Sequence, residues 1–490
     1  MNETSATAGV AAAKRIVIEP VTRVEGHGKV TILLDEQNKV QQARLHIVEF
    51  RGFERFIQGR PYWEVPVLVQ RLCGICPVSH HLAAAKAMDV LVGAEVIPPT
   101  AEKMRRLMHY GQTFQSHALH FFHLCSPDLL FGFDADVAIR NVIGVAQKYP
   151  ELAVQGVMMR KYGQEVILRT AGKKIHGTGA IPGGINKNLS IEERDFLLKD
   201  LDQMVEWSRG ALKIAKDYTV ENLETAKVFG TFDSNHLSLV REDGAMDLYH
   251  GNLYAIDAQG NVILEQTDYQ KYLDVVAEEV RPWSYMKFPF LKSLGPEKGW
   301  YRVGPLARVN TAKFIDTPEA EAARKEFMAV TDGKPNNLTL AYHWARMIEL
   351  LHAIEKIKEL LNDTDLQGED LVATGERRDE CVGLLEAPRG TLFHHYRVNK
   401  DDQITMANLI VSTTNNNEPM NRAVQRVAED HISGVGQITE GLLNHVEVAI
   451  RAYDPCLSCA THAMGKMPLE VELVDAGGEV IDRGFKNCQP

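Results

Sequence analysis

The sequence predicts a mainly α fold with peripheral β ribbons, an α+β class, on three observations. From Glu64 to about Thr225 the chain is rich in helix formers with apolar residues three and four apart, as in SHHLAAAKAMDVLVGAE and RRLMHYGQTFQSHALHFFHL. The stretch AYHWARMIELLHAIEKIKELL (341–361) keeps that spacing at 347, 350, 351, 354, 357 and 361, which reads as an amphipathic helix. Shorter runs of strand-like composition, broken by turns, lie at 15–50, 227–270, 382–413 and in the tail.

In chain order, residues 1–14 form a lead-in expected to be flexible; they lack the charged head and apolar stretch of a signal peptide. VTILLDEQNKVQQARLHIVEF predicts a hairpin about the polar DEQNK turn. Ser126-Pro127-Asp128 is expected to stop the helical run. The glycine-rich HGTGAIPGGINKN (176–188) reads as a turn, because no strand–helix unit flanks it to make a phosphate loop. Residues 382–413 read as strand, turn, strand, and GVGQITEGLLNHVEVAIRAYDP as a helix stopped at Pro455. The tail, MPLEVELVDAGGEVIDRGF, reads as a hairpin around Ala476-Gly477-Gly478.

The chain has 490 residues, 45% hydrophobic and 24% charged, as expected of a soluble globular protein large enough for a deep core. A formal charge of −11 and the lack of any basic run of five or more argue against a nucleic-acid surface. No apolar run approaches the ~18 residues of a membrane span, so the expected location is cytoplasmic. Export as the passenger of a signal-bearing partner is the exception.

Seven cysteines, at 73, 76, 125, 381, 456, 459 and 488, are too few and too scattered for a secreted disulfide framework. Four of them fall in two motifs, RLCGICPVSHH (71–81) and DPCLSCATH (454–462). A C-x-x-C pair sets two thiols on one tight turn. Pro77 should open a helix, so Cys76 sits near a helix N-terminus, where backbone N–H groups favour thiolate. A structural zinc site usually has its pairs about 15–20 residues apart, whereas here roughly 380 positions intervene. Four soft sulfurs could hold nickel, copper(I), zinc or an iron–sulfur cluster, and spacing does not choose among them.

The two motifs resemble the signatures of the nickel–iron hydrogenase large subunit. PVTRVEGHGKV (20–30), RGFERF (51–56), SHALHFFHL (116–124), EAPRGTLFHHY (386–396) and VSTTNNN (411–417) match in order between them. The likeness spans nearly the whole chain and is greatest to the soluble NAD-reducing (bidirectional) group. It implies a long central helical bundle with β extensions, in which a metal site is clamped between the N- and C-terminal motifs. Residues 15–462 would form one intertwined domain.

By that resemblance Cys73, Cys76, Cys456 and Cys459 bind nickel, and Cys76 and Cys459 also bridge to an iron carrying one CO and two cyanides. Arg389 would point its guanidinium over the metals, where a fixed fork of donors suits cyanide ligands and polarised dihydrogen; its plainer reading is a salt bridge. Thr413 would donate to a cyanide. Asp454 would pair with Arg389, and His80 would hydrogen-bond near a bridging sulfur. Glu25 would begin the proton exit, if burial raises its pKa toward neutrality. Glu54 and His462 would hold magnesium or a similar hard cation, with a backbone carbonyl near 408–411. His117, His120, His123, His394 and His395 keep the plain reading of core histidines. Ser116 stands where many membrane-linked relatives carry an aspartate, which removes a charge beside Arg389.

The resemblance further implies maturation. With nickel in place, nickel-insertion chaperones having done their work, a protease would cut between His462 and Ala463. Residues 463–490 would leave as a pro-peptide, so the chain as given is uncleaved. The implied reaction is reversible heterolysis of dihydrogen, with Cys456 as first base. The chain shows no further cysteine cluster for an electron relay and no glycine fingerprint for a dinucleotide. Electrons would pass to a small subunit with an iron–sulfur cluster, then to diaphorase subunits carrying FMN and NAD. Rival readings are a hydrogen-sensing regulatory hydrogenase, an enzyme coupled to another carrier such as a deazaflavin, a quinone-site subunit of respiratory complex I, whose members lack the cysteine pairs, and a structural zinc protein.

Overall fold

A computed structural model describes residues 14–47, 50–94 and 96–461, with the two tail strands Leu469–Val474 and Val480–Lys486. Helix makes up 48% of the chain and strand 18%, the latter in several small sheets, so the mainly helical α+β class holds. The helices Pro99–Leu119, Pro150–Ala171, Leu201–Glu221 and Ala341–Leu361 pack together as the centre. Two of them open on proline, which the first helical turn tolerates because its N–H has no intrahelical partner.

The helix Ala341–Leu361 has the expected bounds and is amphipathic in its last turns, where Lys358 and Glu359 are exposed, but its first three turns are buried all round. Its polar residues His343, Arg346, Glu349 and His352 are buried with the apolar ones. Neighbouring elements cover that side too, and its charge is neutralised within the core. Arg308 Nε donates to Glu349 Oε2 at 2.6 Å and its Nη1 to Glu386 Oε2 at 2.7 Å. His117 Nε2 lies 2.7 Å from Glu349 Oε1.

Ser126-Pro127-Asp128 does not stop the helical run. The chain passes from Pro99–Leu119 through a π-helical segment, His120–Cys125, into the helix Ser126–Phe131, and ends at Gly132 with φ 91°. Pro127 falls in the first turn of the new segment, where its missing N–H costs little, and the wide π turn absorbs the change of register.

The N-terminal hairpin forms as Gly28–Leu34 against Val40–Ile47, extended by Lys14–Ile18 into a three-stranded antiparallel sheet. Asp35 Oδ1 holds its turn by accepting from the backbone N–H of Gln37 and Lys39 at 2.9 and 2.8 Å. Of the expected lead-in, residues 1–13 lie outside the described residues and Lys14 opens the first strand. The glycine-rich stretch is a turn between the two-residue strands Ala180–Ile181 and Gly184–Ile185.

Residues 382–413 hold three strands rather than two: Glu380–Ala387, Gly390–Val398 and Ile404–Ile410. Ala387 pairs with Gly390, leaving Pro388 and Arg389 as a two-residue turn. Gly390 has φ 135° and a Cβ there would stand 2.3 Å from Val303 Cγ2, so a glycine is required. The helix before the second cysteine motif starts late, at Glu440, capped by the Thr439 hydroxyl, and ends at Ala452. The tail strands pair antiparallel, while Ala476-Gly477-Gly478 lies outside the described residues. Among the described residues no helix is long and apolar enough to cross a membrane.

Candidate metal centre

Local backbone chemistry presents each thiol. A short 3₁₀ turn, Val69–Leu72, runs into Cys73, whose backbone is extended. The N–H groups of Ile75 and Cys76 both point at Cys73 Sγ, each at 3.2 Å. Cys76 is the N-cap of the helix Pro77–Leu91, as the proline predicts. In the second motif Asp454 turns the chain in the left-handed region, φ 52°, directly before Pro455 and Cys456.

The ends of the chain are zipped together here. Glu25 and Cys456 form a parallel bridge, Leu457 N donates to Glu25 O at 2.9 Å, and Ser458 N donates to Glu25 Oε2 at 3.2 Å. Gly26 allows the approach: its φ is 82° and a Cβ would lie 2.7 Å from Ser458 N. Arg51 N further binds Thr461 O at 2.9 Å.

The four sulfurs converge in one buried cluster, all within 4.8 Å of one another. Cys73 Sγ is 3.3 Å from Cys456 Sγ, Cys76 Sγ is 3.6 Å from Cys459 Sγ, and Cys456 Sγ is 2.7 Å from Cys459 Sγ. Thiolates on one tetrahedral ion at ~2.3 Å stand roughly 3.8 Å apart. The sulfurs must therefore part by a few tenths of an ångström to about one ångström, a movement that side-chain rotation supplies. An all-sulfur donor set shut away from water fits a soft metal such as nickel. Burial works against charge on Cys73, but hydrogen bonds from Cys456, Cys459 and Cys76 and the nearby Arg389 hold it well below the ordinary thiol range. Burial and the neighbouring thiols push Cys456 well above that range. One thiolate thus forms easily and its charge makes the rest harder to ionise, the demand a cation would meet.

Beside the cluster lies a cavity of about 10 Å³, room for one small group. Cys76, Cys456, Ala387, Pro388, Arg389 and Thr413 are among its walls. Arg389 is fixed by Asp454: Nε donates to the backbone oxygen at 2.6 Å and Nη2 to Oδ1 at 3.0 Å. Its Nη1 stands 3.4 Å from Ser116 Oγ. Burial disfavours its charge, but Asp454 and the thiols outweigh that and keep it protonated. Thr413 sits on the short helix Ser412–Asn415, not on a strand; its hydroxyl oxygen accepts from Cys456 N at 2.9 Å, which leaves the O–H proton to donate.

Glu25 Oε2 is 3.0 Å from Cys456 Sγ. Burial, then the Cys73 charge, raises its carboxyl above the usual range, and hydrogen bonds from Cys456 and Ser458 oppose them. His80 lines the cavity, with Nδ1 3.1 Å from His394 Nε2, and His394 Nδ1 lies 2.6 Å from the Tyr396 hydroxyl. Glu54 is buried and its Oε1 accepts from Leu409 N at 2.8 Å, next to the 408–411 strand end. Its expected partner His462, and the expected cleavage residue Ala463, lie outside the described residues.

The other histidines sit in the core. His117 meets Glu349, His120 meets the Arg451 carbonyl, and His395 lies between Tyr272 and Glu380; His123 is half-buried. Sequence reading did not single out Pro388, Ser412 or Ser79 as cavity walls, nor the Ser458 N–H that holds Glu25. Their only signal was adjacency to Arg389, Thr413, His80 and Cys459.

Comparison with known proteins agrees with this geometry. The family model described as nickel-dependent hydrogenase matches residues 51–139 and 184–462, and one described as HoxL-like matches residues 15–50. The NAD-reducing hydrogenase HoxS subunit beta of Cupriavidus necator is 51% identical over 483 residues, covering 96% of this chain and 99% of that protein. An F420-non-reducing hydrogenase chain of Methanothermobacter thermautotrophicus is 42% identical over 476 residues, covering 96% and 99%. A crystal structure of an NAD+-reducing NiFe-hydrogenase in the H2-reduced state superposes with TM-score 0.90 at 57% identity, over 92% of this chain and 99% of that one. A NiFeSe-hydrogenase of Dm. baculatum, at 22% identity and TM-score 0.75 over 92% and 100% of the two chains, shares the fold. With its four thiols gathered at one buried point, this chain belongs to the nickel-dependent hydrogenases.

Proposed function

We propose that the chain is the dihydrogen-splitting large subunit of a cytoplasmic, NAD-reducing hydrogenase. The observation that carries the reading is the four-thiol cluster with a carboxylate 3.0 Å from one of its sulfurs. Cys73 and Cys456 would bind nickel alone, and Cys76 and Cys459 would be shared with an iron bearing CO and cyanide. When bound, that centre supplies the heterolysis of dihydrogen and accepts the two electrons.

The chain's own residues do the rest. Cys456 Sγ takes the proton first and Glu25 Oε2 receives it, a transfer across one hydrogen-bond length that the raised carboxyl pKa favours. Arg389, held by Asp454, keeps a positive fork at the cavity wall, and the Thr413 O–H supplies a donor there. Ala387, Pro388, Leu392 and Val411 supply the apolar part of the wall, beside the polar Ser79, His80 and Ser412. Glu54 and His462 would hold magnesium, and His80 would hydrogen-bond a cluster sulfur.

Electrons would leave through a small subunit with an iron–sulfur cluster to a flavin module that reduces NAD; NAD reduction is what the names of two similar proteins record. Residues 463–490 would be a pro-peptide cut after His462 during maturation. The test is elemental analysis with an infrared spectrum of the purified complex, followed by H2-dependent NAD reduction. Near-stoichiometric nickel, sharp bands in the CO and cyanide region and NADH formation are expected. Zinc without diatomic bands, in protein whose tail has been removed, would overturn the reading.

A further inference from the structure

A second group of metal-binding side chains lies apart from the four cysteines. His120 and Cys125 stand at the ends of the π-helical segment His120–Cys125, and His343 projects from the helix Ala341–Leu361. One ligand atom from each comes within 4.8 Å of the other two, and all three residues are buried. The i→i+5 bonding of a π turn draws residues five apart toward one side, which an α-helix would not do. The imidazoles of His120 and His343 stack with centroids 5.6 Å apart and 18° between planes.

The protonation pattern suits ligation. His120 Nε2 lies 2.7 Å from the Arg451 carbonyl, which can only accept, so the proton is on Nε2 and Nδ1 carries a lone pair. That Nδ1 has no partner, and neither has Nδ1 of His343. Bare Nδ1 atoms occur on other core histidines, His109 and His236 among them. What sets His120 and His343 apart is that a ring nitrogen of each lies within 4.8 Å of the Cys125 sulfur. An imidazole anchored through one nitrogen to a backbone carbonyl is the usual posture of a metal-binding histidine. Burial lowers the pKa of both rings, so they stay neutral. The Cys125 thiol donates weakly to Phe121 O at 3.5 Å.

Local charge selects the ion. Arg346, one turn along from His343, donates to the Ala452 carbonyl at 2.9 Å and has no carboxylate within ion-pair distance among the described residues. Asp128, nearby, is already shared by Arg23 at 2.6 Å and Arg451 at 3.0 Å. Arg451 is balanced by Glu447 at 2.9 Å as well as by Asp128, and Arg389 by Asp454 at 3.0 Å, so the local excess of positive charge is Arg346 itself, and a divalent ion would add to it.

We propose that His120, Cys125 and His343 form a second, buried metal site that takes a soft monovalent cation, copper(I). The ion replaces the Cys125 proton: a Cu–S bond forms, the S–H bond breaks, the proton leaves to water, and neither oxidation state nor net charge changes. Two nitrogens and one sulfur match the ligand taste of such an ion. The inference does not depend on the acceptor or the partners proposed above.

The test uses the purified, nickel-loaded complex, so that the four-thiol centre is filled. It is loaded anaerobically with copper(I) as the acetonitrile complex, or produced in copper-supplemented cells, and stripped of loose metal with a chelator. About one copper per chain should remain, with X-ray absorption showing one sulfur and two nitrogen neighbours. Cys125→Ser and His120→Gln variants should lose that copper while keeping nickel and hydrogen turnover, which shows they are folded. The absorption spectrum of the unmodified chain decides the matter even if a variant fails to fold. No retained copper by either route, or equal retention in folded variants, overturns the site. Displacement of copper by equimolar zinc(II) overturns the choice of a monovalent ion.

Discussion

Glu25 Oε2 lies 3.0 Å from Cys456 Sγ, although 431 positions separate the two residues. The backbone bridge between them, rather than the side chains alone, sets that distance. A proton acceptor tied by main-chain hydrogen bonds to the segment that carries the thiol keeps its reach when side chains fluctuate.

A Glu25→Gln change should leave the site assembled, because the amide oxygen still accepts from Ser458 N. It removes the group that takes and releases a proton. Hydrogen-dependent turnover is expected to fall about 10²–10⁴-fold, with nickel content and infrared bands unchanged. Wild-type turnover in that variant would take Glu25 out of the proton path.

Arg389→Lys keeps the charge and loses the fork. A single ammonium does not reproduce the two donations to Asp454 while also facing the cavity. Turnover should drop by roughly 10²–10³-fold, the size seen when one preorganised donor is removed from an active site. Metal analysis alongside the rate separates lost chemistry from lost assembly; a rate within twofold of the parent would show that charge alone suffices.

Glu349 is fully buried between Arg308 and His117. Burial alone would raise its carboxyl, yet Arg308 first and His117 second bring it down to about 2. Glu349→Ala leaves Arg308 with only Glu386 and should destabilise the chain by about 3–5 kcal/mol. The measurement is the shift in urea midpoint at constant slope. A loss below about 1 kcal/mol would mean that Glu386 alone can balance the arginine.

Acid should weaken the fold earlier than carboxylate titration would. Burial lowers His81 to about 4, His109 to about 4, His236 to about 3 and His352 to about 4. Each is neutral in the folded chain and protonates near 6.5 when unfolded, so the unfolded state binds more protons between those values. Their stabilisation is complete above pH 6.5 and is lost as pH falls toward 4, at about 1.4 kcal/mol per pH unit for each histidine. Denaturation midpoints measured from pH 7.5 to 5 should fall steadily. A flat profile over that range would show that these rings are hydrated in solution.

Legibility differed from residue to residue for physical reasons. Pro77 and Pro455 placed the cysteine turns correctly from sequence, because proline acts on its own backbone. Pro127 misled, because whether a proline ends a helix or opens the next turn depends on the register of what precedes it. The third strand, Ile404–Ile410, was hidden within a segment read as strand, turn, strand. The polar side of Ala341–Leu361 read as solvent-facing, and nothing local announces that Arg308 will come from elsewhere to cover it.

By itself the sequence determined the class of the fold, the bounds of the helix Ala341–Leu361, the helical character of much of 64–225 and the two C-x-x-C pairs that supply four thiol donors. These follow from periodicity, turn residues and short-range spacing, which act over a few neighbours. Tertiary structure alone decided that Cys73 and Cys456 come within 3.3 Å, that Asp454 grips Arg389, and that Glu25 reaches Cys456. Those distances arise from packing between segments hundreds of positions apart, where many weak contacts sum and no single residue carries the instruction.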